Sequence, residues 1–77
     1  MSKLEMFALK TIEDVMNLEE GTVKLTDHFR DDLGADSIDL MEIVGAMETE
    51  YGVEVDLDDL AAISTVEDAI KVLEKLI

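Results

Sequence analysis

The chain has no cysteine and no proline, and only four of its 77 residues are glycine. Without cysteine, disulfides and thiolate metal sites are excluded. The want of proline and glycine suits packed helices better than a loop-rich or all-β scaffold. No apolar run is long enough for a membrane span, and an amino terminus with Glu5 among its first residues lacks the shape of a signal peptide. A soluble cytoplasmic chain is therefore expected, or one in an organelle matrix if a transit peptide has been removed. The length allows one small domain, close to the lower size at which a single core holds without staples.

Basic residues are also few, 6 against 20 acidic ones, for a formal net charge of −14. That balance argues against nucleic acid as a partner, and none is expected. Between Arg30 and Lys71 there is no basic residue at all, while carboxylates run from Asp31 to Asp68. Such a field destabilises the compact state by self-repulsion, and it steers basic partners toward one side. The bland alternative is a surface that only solubilises. Concentration of the acid around Ser37 favours recognition.

Apolar periodicity predicts the helices. Leu4, Phe7, Ala8, Ile12, Val15 and Met16 recur at helical spacing over residues 2–17, with Ser2 able to cap. This stripe could serve a membrane surface, but its polar face carries too little basic charge, so it is assigned to a core. Residues 18–35 form a long connection. A loop of that length without structure is unusual in so small a domain, so Val23, Leu25, Phe29 and Leu33 are expected to pin it. His28, the one histidine, has no second nitrogen or sulfur ligand for a metal and is read as a surface residue.

Gly34 breaks the chain, Asp36 is placed to cap, and a helix is predicted over 37–51, closed by Gly52. Advancing 100° per residue gathers Leu40, Ile43, Val44, Met47 and Tyr51 into one arc, the core face. Ile38 falls on the far side with Glu42, Gly45 and Thr49, so it faces solvent. Gly45 costs about 1 kcal/mol relative to alanine inside a helix, which suggests a close approach by a partner there. Val53 to Asp56 alternates briefly but is too short for a strand and has no pairing candidate, so it is read as an extended linker. A short helix follows over 57–62, capped by Asp56 with Leu60 and Ile63 turned inward. Ser64 and Glu67 form a capping-box pattern, and Val66, Ala69, Ile70, Leu73 and Ile77 make the buried stripe of the last helix.

Catalytic machinery is not evident in this sequence. Ser37 lacks the Gly-x-Ser-x-Gly elbow, His28 has no orienting partner, and phosphate loops and dinucleotide fingerprints are missing. Asp56, Asp58 and Glu67 fall at positions one, three and twelve of a calcium loop, but Ala61 stands where the turn needs glycine and Leu60 offers no ligand. The chain is read as no enzyme and as holding no metal site.

The stretch Leu33-Gly34-Ala35-Asp36-Ser37-Ile38-Asp39 resembles the phosphopantetheine attachment motif of acyl carrier proteins, with Ile38 in place of the usual leucine. The similarity extends over most of the chain: an amphipathic first helix, an acidic loop with Phe29, the motif, an acidic second helix and a Thr-Val-Glu start to the last. It implies an all-α fold, a small four-helix bundle of three main helices plus one short one, as a single acyl carrier domain over residues 1–77.

By the same resemblance, Ser37 is the attachment point of 4′-phosphopantetheine, transferred from coenzyme A by a phosphopantetheinyl transferase (holo-acyl-carrier-protein synthase). The arm's thiol would then carry acyl groups as thioesters for fatty-acid synthesis enzymes. Asp36, Asp39, Glu42 and Glu48 would face their basic docking patches, with Ile38 and Val55 as apolar contacts. Phe29, Leu60, Ile63 and the core residues of the second helix would line a pocket for the acyl chain. The resemblance further implies a monomer that acts without membrane insertion. The motif serine's phosphodiester would gain from the helix amino terminus, opposed by Asp36 and Asp39. Within this reading the cargo is open between fatty-acid, polyketide and aminoacyl groups. The competing reading from another class is an acidic helical interaction or cation-binding module that is never modified.

Overall fold

The computed structural model describes residues 2–77. Four helices occur in the order α1 (Lys3–Met16), α2 (Ser37–Tyr51), α3 (Leu57–Ala61) and α4 (Val66–Leu76). There is no strand among the described residues. The expected all-α bundle of three main helices plus a short one is what the chain forms.

Each start has a chemical cause. Ser2 caps α1 reciprocally with Glu5: the Glu5 amide donates to Ser2 Oγ at 3.1 Å, and the Ser2 amide donates to Glu5 Oε1 at 2.8 Å. Asp36 caps α2 in the same way with Asp39, and Asp56 caps α3 through the Asp59 amide. Asn17 and Gly52 end α1 and α2 in the left-handed conformation, at φ of 56° and 65°.

The last helix starts one residue later than expected. Its cap is Thr65, reciprocal with Asp68, in place of Ser64 with Glu67. Ser64 is engaged elsewhere, since its carbonyl accepts the Phe29 amide at 3.0 Å within a short antiparallel bridge between His28 and Thr65. The bridge extends through the Val66 amide to the Asp27 carbonyl and the Glu67 amide to the Leu25 carbonyl. These bonds keep the backbone extended through Thr65. The short helix likewise stops at Ala61, with Ala62 as its cap.

Against α1 pack both α2 and α4. The core is built from Ala8 and Ile12 of α1, Ile43, Val44 and Met47 of α2, and Val66, Ala69, Ile70 and Leu73 of α4. Val23, Phe29 and Ala35 of the long connection join them, as does Ile63. Leu25 and Leu33 are half-buried against this core, as are Leu40 and Tyr51. The rings of Phe7 and Tyr51 meet in a T-shaped arrangement with centroids 5.7 Å apart, tying α1 to the end of α2. Ile77 does not belong to the buried stripe: it is 64% exposed, because α4 ends at Leu76 and Ile77, its cap, lies beyond the helical turns that pack on the core.

The connection is held from a second side by Glu13, a buried carboxylate of α1. Its Oε2 accepts the amides of Gly21 at 2.9 Å and Val23 at 3.4 Å. Those bonds satisfy loop donors that would otherwise be left without a partner near the core.

Candidate functional site

Immediately before α2 the chain makes a tight turn. The Asp32 and Leu33 amides both donate to the His28 carbonyl, Gly34 to that of Arg30, and Ala35 to that of Phe29 at 2.7 Å. Asp32 Oδ2 accepts the His28 amide at 2.7 Å. Gly34 closes the turn at φ +68°, a conformation that side-chain-bearing residues rarely adopt. Phe29 and Ala35 are buried beneath it, so the turn is anchored at both ends.

Ser37 is the first residue of α2 and is exposed. Asp36 directly precedes it, its Oδ1 accepting the Asp39 amide at 2.9 Å, while Asp39 Oδ2 accepts the Asp36 amide at 3.2 Å. The Asp36 carboxyl is held below the usual carboxylate range, mainly by the Asp39 amide, with smaller help from the Ile38 amide, the Asp39 side chain and the Arg30 charge. Both acids flanking the serine are thus fixed to the helix start. Arg30 Nη2 donates to Ser37 Oγ at 3.1 Å.

Two hollows open beside the serine. One, of about 180 Å³, lies between the turn and α2 and is lined by Phe29, Arg30, Ala35, Ser37, Leu40 and Ile63 among others. Its neighbour, of about 440 Å³, runs toward α3 between Met41 and Leu40 on one side and Leu57 and Leu60 on the other. Phe29, Leu60 and Ile63 thus line hollows next to Ser37, as expected. Of the α2 core face only Leu40 does so; Ile43, Val44 and Met47 border neither hollow and pack in the core.

The predicted outer face divides. Ile38 is 71% exposed and Glu42 is exposed as well, beside Ser37 on the first turns of α2. Exposed Met41 and Leu57 extend this apolar surface. Glu48 and Val55 are half-buried and bonded to each other, Glu48 Oε2 accepting the Val55 amide at 2.7 Å. Gly45 is half-buried, and a Cβ there would meet nothing within 4 Å, so internal packing does not require the glycine. His28 is exposed.

Arg30 is the residue that sequence reasoning missed. A signal existed, since it is the one cation between Lys24 and Lys71, but nothing in the spacing showed that its side chain returns to Ser37.

The family described as phosphopantetheine attachment site matches residues 8–73. A protein named acyl carrier protein 2, from Pseudomonas aeruginosa, is 38% identical over 77 residues, which cover 100% of this chain and 98% of the relative. An acyl carrier protein of Solidesulfovibrio magneticus is 45% identical over 64 residues, 83% of this chain and 82% of that one. An exposed serine at a fixed helix start, within a match of this extent, is explained by one family: the chain belongs to the acyl carrier proteins, which are carriers and not enzymes and which work through a covalently attached 4′-phosphopantetheine.

Proposed function

We propose that Ser37 carries the 4′-phosphopantetheine and that the loaded chain delivers acyl thioesters to the enzymes of fatty-acid synthesis. The observation that carries this reading is the Ser37 hydroxyl, exposed on the first turn of α2 within Leu33-Gly34-Ala35-Asp36-Ser37-Ile38-Asp39. Residues present fit the group: the hydroxyl is open to a transferase, a guanidinium lies beside it, and the adjoining hollows leave room for a chain.

In the loading step Ser37 Oγ attacks the coenzyme A phosphorus that bears pantetheine. An O–P bond forms, the bond to the departing adenosine 3′,5′-bisphosphate breaks, and the hydroxyl proton passes to a base of the transferase. The chain's part is to hold Ser37 at a rigid corner, which lowers the entropy lost on alignment.

Acyl carrier proteins meet a phosphopantetheinyl transferase and acyl-processing enzymes. In this chain the docking face is Asp36, Ile38, Asp39 and Glu42, with the bonded pair Glu48 and Val55 at its far end. The acids draw basic patches into encounter, and Ile38 supplies the apolar contact. The chain acts as a single domain over 1–77, as a monomer, in the cytoplasm; no helix of the described residues is long and apolar enough to cross a membrane.

Cargo is tested by supplying the holo protein with malonyl transfer and elongation enzymes of bacterial fatty-acid synthesis and following intact mass. Successive two-carbon extension is expected. A holo protein that forms but is never charged or extended by those enzymes would overturn the fatty-acid assignment and direct attention to polyketide or aminoacyl loading enzymes.

A further inference from the structure

We propose that Arg30 is a phosphate-binding residue that holds the phosphodiester of the prosthetic group once Ser37 is modified; this rests on Ser37 being the attachment point. The guanidinium already reaches the atom that becomes the ester oxygen, with Nη2 donating to Ser37 Oγ at 3.1 Å. Its charge has no carboxylate partner in ion-pair contact among the described residues, although Asp31, Asp32 and Asp36 are its neighbours in sequence. Among the described residues the ion pairs are Lys71 with Glu67 and Lys75 with Asp59. A cation amid acids, aimed at a hydroxyl and not at them, is set for an anion arriving at that hydroxyl.

The helix start alone does not serve the purpose. Asp36 accepts the Asp39 amide, and the caps of α2 already bring two carboxylates beside the serine. A phosphodiester added there meets their repulsion, and Arg30 is the one cation at hand to offset it. Guanidinium suits phosphate because its planar donors can engage two oxygens at once, which a lysine ammonium does less specifically. The backbone of Arg30 is fixed as well, since its carbonyl accepts the Gly34 amide and the preceding Phe29 is buried. Arg30 borders both hollows beside Ser37, so holding the phosphate also sets where the arm begins relative to them.

The test compares the parent, Arg30→Met and Arg30→Lys, each as apo protein and after loading from coenzyme A, with complete loading verified by intact mass. Thermal midpoints are measured for all six forms, and the ³¹P resonance for the three loaded ones. Taking the loaded-minus-apo difference within each variant removes any effect of the substitution on the apo fold. The expected result is a difference about 2–5 °C more favourable in the parent than in Arg30→Met, with Arg30→Lys between them, and a displaced ³¹P resonance in Arg30→Met. Equal differences and one common ³¹P shift in three fully loaded proteins would overturn the role of Arg30 while leaving Ser37 as the attachment point. A parent that cannot be loaded would overturn both.

Discussion

Asp36 ties the chemistry of the site to the stability of α2. Its carboxylate is the helix cap, and it stands one residue before the serine, so the acid proposed to meet a partner also fixes the helix start that carries the hydroxyl. Because the folded carboxyl is held below its ordinary value by the Asp39 amide, its contribution to stability is present above the unfolded value of about 3.9 and is lost as pH falls through the lower folded value. In an NMR titration the Asp36 carboxyl carbon should therefore show a midpoint below about 3.9; a midpoint at or above it would contradict the cap. Ile38, at 71% exposure, is separable from folding. Ile38→Ala should slow turnover by the transferase and by acyl-processing enzymes several-fold while moving the denaturation midpoint little, within about 0.5 kcal/mol. Unfolding on that substitution would mean that Ile38 packs in the core.

Among the helices, boundaries set by side-chain chemistry were legible and those set by distant backbone were not. Asp36 and Gly52 bracket α2 as the residues themselves suggest, because cap and left-handed turn are local effects. The start of α4 is different. Ser64 and Thr65 are both good caps, and the choice is made by bonds from Leu25, Asp27 and Phe29, some 35–42 residues away in the chain. Such bonds use main-chain atoms and leave no signature in residue type. Thr65→Ala should therefore lose about 1 kcal/mol in chemical denaturation, as expected for a removed cap, and Ser64→Ala should lose much less. The reverse order would restore Ser64 as the cap. Glu13 was hidden for a related reason, since a glutamate beside an apolar stripe looks solvated until the loop whose amides it accepts is in place.

For the whole molecule, charge is the dominant feature. A net charge of −14 on 77 residues, with Arg30 the one cation between Lys24 and Lys71, makes folding work against repulsion. Salt that shortens the screening length to about 8–10 Å, or millimolar divalent cations, should raise the thermal midpoint. A midpoint that stays flat or falls would show that repulsion is no net burden on the fold. The helices were legible in apolar periodicity, and the resemblance at the attachment motif pointed to the bundle and to the family. What the sequence left obscure was the surrounding of Ser37, where the turn from His28 to Ala35 brings Arg30 and two hollows to the same corner.

The central claim, that Ser37 is the attachment point, is tested most directly by intact mass before and after incubation with coenzyme A and a phosphopantetheinyl transferase, with Ser37→Ala alongside. One phosphopantetheine should be added to the parent and none to the variant. A parent left unmodified by transferases of several specificities, or a variant that is still modified, would contradict it.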